Sequence, residues 1–183
     1  MKRLIDGGAT LIQLRDKHAT ARSFYESAVD CIDLARPQGV RIIINDRVDI
    51  AIAAGADGVH LGQEDMPPAA ARTLLGENAI IGFSTHSVEQ AIAAQDADYI
   101  AIGPVFQTAT KADPDPVVGL EGLARVKAAV PNLPLVAIGG IASSNLSDVV
   151  AAGADSAAII SALLRTPHDI ARAYFQLNDL ANV

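Results

Sequence analysis

The sequence predicts an α/β fold of the (β/α)8 TIM-barrel class, lacking its N-terminal strand and most of the first helix. Three observations carry that expectation. Runs rich in Ile and Val alternate regularly with Ala-rich stretches of helical spacing. The runs are apolar on both faces, as strands of a parallel sheet covered by helices must be. A short Gly-Ala-Asp type of turn also returns ahead of every second run.

Taken in order, strands are expected at 10–15 (TLIQLR), 41–45 (RIIIN), 58–62 (GVHLG), 79–83 (AIIGF), 99–103 (YIAIG), 135–139 (LVAIG) and 156–160 (SAAII). Helices are expected near 20–36, 48–54, 67–75, 87–95, 120–129, 144–152 and 168–180. Ser87, with Glu89-Gln90 close behind it, marks one helix start, and Ser143-Ser144-Asn145 marks another before Leu146–Ala152. Gly7-Gly8-Ala9-Thr10, Gly55-Ala56-Asp57, Asp96-Ala97-Asp98 and Gly153-Ala154-Asp155 introduce the first, third, fifth and seventh strands. The glycines suit a left-handed helix C-cap in a short αβ loop. The strands between them enter differently, after Gly39 or Pro134 for example. A fold built of such strand pairs has lost the leader of its first pair, and restoring it makes eight strands, a closed barrel. Met1–Gly7 reads as the last turn of the helix that would follow that leader. Residues 1–183 are expected to form one domain. A doubly wound open sheet is the alternative, but no Gly-rich dinucleotide fingerprint follows any strand.

Composition narrows the function. The 183 residues are 50% hydrophobic and 19% charged, enough apolar surface for a sizeable core. A net charge of −7 argues against nucleic-acid or anionic-membrane partners, so an anionic ligand requires a local cluster of cations. Cys31 is the single cysteine and reads as core; it allows neither a disulfide framework nor a cysteine zinc site. No apolar run approaches a membrane span, and Lys2-Arg3 is followed by Asp6 rather than a secretory core, so a cytoplasmic protein is expected. Unpaired sheet edges would also favour association into a homo-oligomer.

Barrel chemistry collects where strands end and βα loops begin, and the polar residues of this sequence collect there. The first strand runs out into Gln13, Arg15 and Lys17, the second into Asn45-Asp46, and the third into Gln63, Glu64 and Asp65 with His60 before them. Ser84, Thr85 and His86 end the fourth, GPVFQTATK (103–111) follows the fifth, Gly139-Gly140 the sixth, and Ser161 the seventh. Arg15, Lys17 and Lys111 are the cations a polyanion would need. Asp46 and Asp65, at adjacent strand ends, suit a hard divalent cation shared with ligand phosphate oxygens. Gly139-Gly140 and Ser161 lie where barrels hold a phosphate through backbone N–H groups. The rim thus offers a cation- and metal-rich site fit for a diphosphate and an amide-lined site fit for a monophosphate. Asp57 and Asp155 read as turn residues, His18, His86 and His168 as solvated boundary residues, and His60 as either a hydrogen-bonded core histidine or a ligand contact.

QLRDK (13–17), IND (44–46), GADGVHLGQED (55–65), IGFSTH (81–86), DYIAIGPVFQTATK (98–111), GLEGL (119–123) and VAIGGI (136–141) resemble the thiamine-phosphate synthase family, in that family's order and across nearly the whole chain. The resemblance implies a transferase of thiamine biosynthesis. Such an enzyme joins hydroxymethylpyrimidine diphosphate to thiazole phosphate, giving thiamine phosphate and diphosphate, with one Mg2+ per subunit. Carried onto this chain, it makes Asp46 and Asp65 the magnesium ligands. It gives the pyrimidine diphosphate to Gln13, Arg15, Lys17, Asn45, Ser84 and Lys111, with Arg15, Ser84 and Lys111 closest to the chemistry. Thr108 and Thr110, with the amides of Gly140, Ile160 and Ser161, would receive the thiazole phosphate. The implied reaction is dissociative, so the site needs leaving-group stabilisation and exclusion of water rather than a strong base. Gln107 stands where the family often has Pro, and Ala112–Val118 is rich in Asp and Pro. The thiazole tautomerases share the barrel and the Gly-Gly site but do not need Arg15, Lys17, Asp46 and Asp65. A truncated, non-catalytic binder of thiamine phosphates is the third alternative.

Overall fold

The computed structural model describes residues 1–108, 115–164 and 169–181. Among them, seven strands lie side by side in chain order, every neighbouring pair parallel. They are β1 (Leu11–Leu14), β2 (Arg41–Asn45), β3 (Gly58–Leu61), β4 (Ile80–Thr85), β5 (Tyr99–Ile102), β6 (Leu135–Ile138) and β7 (Ser156–Ala158). The helices are α1 (Lys2–Asp6), α2 (Ala21–Ala35), α3 (Val48–Ala54), α4 (Pro68–Leu75), α5 (Val88–Ala93), α6 (Gly119–Ala129), α7 (Leu146–Ala151), α8 (Ser161–Leu164) and α9 (Ile170–Ala181). The expected strands and helices are all present, each end within two residues of its expected place. The short α8 and a 3-10 turn at Arg36–Gln38 were not expected. No helix among the described residues is long and apolar enough to cross a membrane.

The repeated turn has a structural purpose. Asp57 Oδ2 accepts the Ile42 N–H at 2.7 Å, Asp98 Oδ2 accepts that of Ile81 at 2.7 Å, and Asp155 Oδ2 accepts that of Leu135 at 2.7 Å. Each aspartate therefore sits before an odd-numbered strand and satisfies the first or second amide of the even-numbered strand beside it. Arg72 and Lys127 pair with Asp98 and Asp155 at 2.7 and 2.8 Å. Thr10 occupies the matching position before β1, which has no strand on its far side among the described residues.

The apolar interior falls into two clusters, one around β1–β4 and one around β5–β7. Leu4 of α1 and Tyr174 of α9 pack against both, and so does Phe83 of β4. The backbone of Gly7 at the end of α1 lies so close to Ala171 of α9 that an added Cβ would stand 2.8 Å from its carbonyl oxygen. The first and last helices thus bring the two halves of the curled sheet together, although β1 and β7 share no ladder. Cys31, expected in the core, is only half-buried on α2; its neighbour Ile32 takes the inward position.

Candidate functional site

At the C-terminal ends of β1, β2 and β3, three charged residues converge. Lys17 Nζ stands 3.3 Å from Asp46 Oδ2, and the Asp46 carboxyl hydrogen-bonds that of Asp65. Their loops are shaped for this. The Asp46 N–H donates to the carbonyl of His60 at 2.8 Å, and Asp46 turns at a left-handed φ of 63°, a conformation Asp and Asn adopt more readily than most residues. Asp65 folds back in a tight turn, its Oδ2 accepting the Gly62 N–H at 2.7 Å. Burial raises the Asp65 carboxyl above the usual carboxylate range, and the hydrogen bond to Asp46 raises it further. Two carboxyls drawn together under partial burial are a site that welcomes a cation. A cavity of about 220 Å³ opens beside them, lined by Asp16, Lys17, Ala19, Asn45, Asp46 and Arg47.

Deeper in the sheet lies a second polar group. His60, 7% exposed, has Tyr99 Oη 2.8 Å from its Nδ1 and Ser84 Oγ 2.8 Å from its Nε2. Gln13 hydrogen-bonds Tyr99 in turn, and Gln63 Nε2 donates to the Ser84 carbonyl at 2.6 Å. Tyr99 reaches inward over Gly82, its register partner; a Cβ there would overlap the phenol ring. The chain Gln13–Tyr99–His60–Ser84 therefore ties β1, β5, β3 and β4 into one polar floor. Of the two readings open for His60, its side-chain partners are those of a satisfied core histidine, and through Ser84 it borders the rim.

Burial pushes the His60 imidazole down to about 4. In the unfolded chain an imidazole titrates near 6.5, so between those values the unfolded state holds the extra proton. Stability is therefore present above pH 6.5 and lost as pH falls toward 4, by roughly 3 kcal/mol from this residue. His60→Asn is expected to flatten that part of a urea-midpoint-against-pH profile; an equally steep profile in the variant would acquit His60.

The rim after β6 is built of backbone. Gly139 and Gly140 take left-handed φ values of 89° and 68° after β6. A Cβ on Gly139 would stand 2.6 Å from Pro104 Cβ, and one on Gly140 2.7 Å from the Gln107 carbonyl oxygen, so the strap 104–107 lies directly on the pair. Asn145 steadies the turn, donating to the Gly140 carbonyl at 3.1 Å and accepting from the Ala142 N–H at 2.8 Å. Ile160 and Ser161 follow β7, the neighbour of β6, at the same end of the sheet.

Among the predicted site residues, Lys17, Asp46 and Asp65 meet directly, with Asn45 in the same wall. Gln13 and Ser84 meet through Tyr99 and His60. Arg15 is exposed just past β1, and Thr108 half-buried on the strap past β5. Thr110 and Lys111 lie outside the described residues, as does His168. His18 is exposed as expected. His86 is not a solvated boundary residue: its Nδ1 lies 2.6 Å from the Gly103 carbonyl oxygen, and its side chain is only 24% exposed. Tyr99 was missed because nothing about a tyrosine opening a strand marks it as reaching across the sheet interior.

Comparison with known proteins identifies the family. Residues 1–163 match the family model described as thiamine monophosphate synthase. The chain belongs to the thiamine monophosphate synthase family. Among relatives, the thiamine-phosphate synthase of Chloroflexus aurantiacus is 47% identical over 181 residues, 98% of this chain and 82% of the relative. That of Methanospirillum hungatei is 48% identical over 181 residues, covering 98% and 87%. A solved thiamine phosphate pyrophosphorylase from Pyrococcus furiosus superposes with a TM-score of 0.88 at 39% identity, covering 99% of this chain and 87% of that one. A 3-hexulose-6-phosphate synthase, 18% identical with a TM-score of 0.72, shares the fold. As a member of the thiamine monophosphate synthase family, the chain thus carries its polar residues on the loop-bearing end of a TIM-barrel-like sheet.

Proposed function

We propose that the protein is a thiamine-phosphate synthase, joining hydroxymethylpyrimidine diphosphate to thiazole phosphate with release of diphosphate. The observation that carries the reading is the meeting of Lys17, Asp46 and Asp65 at three adjacent strand ends. That set matches the recognition of a diphosphate by a hard divalent ion and a lysine. Asp46 and Asp65 would hold Mg2+, which when bound neutralises charge on the leaving oxygens. One or two carboxylates are the usual protein share for this ion, whose remaining ligands would be water and phosphate oxygens.

The chain's own residues supply the rest. Arg15 and Lys17 draw the diphosphate to the β1 end of the mouth and hold its growing charge. Asn45 and Gln13 frame the pyrimidine side, and Ser84 Oγ, fixed by His60, presents a hydroxyl of set direction to it. The amides of Gly140, Ile160 and Ser161, with Thr108, receive the thiazole phosphate. The thiazole nitrogen then meets the pyrimidine-methyl cation left by the departing diphosphate. None of these groups need be a strong base. The site works by positioning and by keeping water off a reactive cation. A thiazole tautomerase reading lacks a use for the carboxylate pair and its lysine.

Incubation with both substrates and Mg2+ is expected to yield thiamine phosphate and diphosphate in equal amounts, with neither formed when one substrate is left out. Metal-independent conversion of thiazole phosphate alone, without diphosphate, would replace this reading with the tautomerase.

A further inference from the structure

Tyr99 has no place in the chemistry above, yet the fold makes room for it. It opens β5, and its phenol ring crosses over Gly82 of β4, where a Cβ would overlap it. Its ring lies 5.5 Å from that of His60, centroid to centroid, and its Oη is 2.8 Å from His60 Nδ1. On the other side of the imidazole, Nε2 is 2.8 Å from Ser84 Oγ. Gln13 of β1 hydrogen-bonds the same phenol. Four side chains from four strands thus stand in one line of hydrogen bonds.

The protons along this line can be placed from what each atom is able to give. Burial raises the Tyr99 phenol, and the Gln13 bond works against that rise. A bond that favours the phenolate is one donated to its oxygen, so the Gln13 amide gives and Tyr99 Oη accepts. The phenol proton is then left for the other partner, His60 Nδ1. An Nδ1 that accepts leaves the proton of the neutral ring on Nε2, which donates to Ser84 Oγ. In the reverse order, with Gln13 donating and the ring proton on Nδ1, the phenol O–H has no acceptor among the described residues. Ser84 Oγ therefore accepts from His60 and keeps its own proton to give, and His60 is its one partner among the described residues.

We propose that Tyr99 is a positioning residue that fixes the His60 tautomer and so makes Ser84 a one-way hydrogen-bond donor toward the pyrimidine, whose ring nitrogens only accept. The use made of the hydroxyl rests on the proposed synthase reaction; the order of the protons does not. Without the phenol O–H, the ring is free to take either tautomer, and Ser84 can turn its proton to Nε2 instead of the substrate.

A double-mutant cycle reads the consequence. Tyr99→Phe keeps a ring over Gly82 and removes only the hydroxyl. It is expected to lower kcat/KM for the pyrimidine diphosphate about tenfold, the scale of one hydrogen bond, with KM for thiazole phosphate within about twofold of wild type. In the Ser84→Ala background the same change is expected to cost less than about twofold, because no hydroxyl is left to aim. Equal losses in the two backgrounds overturn the relay, since a loss of packing would be felt in both. If the protein shows no turnover, the proposed function fails, and the order of the protons is still decided by proton–nitrogen correlation NMR of histidine-labelled protein near neutral pH. His60 is assigned by the signal missing from His60→Asn. A proton on Nε2 in wild type, with an Nδ1 resonance that moves toward that of an unbonded nitrogen in Tyr99→Phe, supports the relay. A proton on Nδ1 in wild type, or an Nδ1 resonance that Tyr99→Phe leaves in place, overturns it.

Discussion

Asp46→Ala lowers kcat/KM for diphosphate release by more than about 100-fold, the equivalent of roughly 3 kcal/mol of transition-state stabilisation. Three effects combine. The proposed cation site drops to one carboxyl, Asp65, whose burial already disfavours its charged form. Lys17 loses the partner 3.3 Å away that holds it at the mouth. Alanine also sits poorly at a φ of 63°. Asp46→Asn separates these effects, because asparagine tolerates the left-handed turn and keeps an oxygen but not the charge. Both variants are expected to fall together, measured by steady-state kinetics across a magnesium titration. A variant within twofold of wild type at saturating metal would reject Asp46 as a ligand.

Gly58→Ala is expected to destabilise the protein by about 3 kcal/mol or more, read as a lowered urea midpoint by circular dichroism. Gly58 opens β3 beside Ile80, and a Cβ there would overlap the Ile80 carbonyl oxygen and stand 2.7 Å from its carbonyl carbon and 2.8 Å from its nitrogen. These are backbone atoms of a paired strand, so no rotamer change relieves the overlap. The strands must part. Because β3 carries His60 and leads to Asp65, activity should fall with stability. A variant as stable as wild type would mean that the β3–β4 pairing is looser than described.

Much of this could be read from the chain alone, for identifiable reasons. The parallel sheet was visible because Ile42–Ile44 and Ile100–Ile102 are apolar on both faces, the mark of strands covered by helices. The two-strand repeat was visible because its aspartates recur at fixed places, although their purpose of capping the neighbouring strand needed the register to appear. Lys17, Asp46 and Asp65 were found because three charges at strand ends of a TIM-barrel-like sheet must face the same mouth.

What escaped depends on distance across the sheet. Tyr99 finds room only over Gly82, and that pairing follows from the β4–β5 register rather than from any local pattern. His86 looked solvated because a histidine beside a helix start gives no sign of the carbonyl seventeen residues on that it bonds. The short α8 was missed because four residues after a strand make no periodic signal.

Anomalous diffraction from crystals grown with Mn2+ and inorganic diphosphate would locate the metal and the leaving group together. One manganese peak is expected between the Asp46 and Asp65 carboxylates, with the diphosphate beside Arg15 and Lys17. A peak elsewhere, or a diphosphate seated away from the β1–β3 ends with Lys17 still on Asp46, would contradict the proposed site.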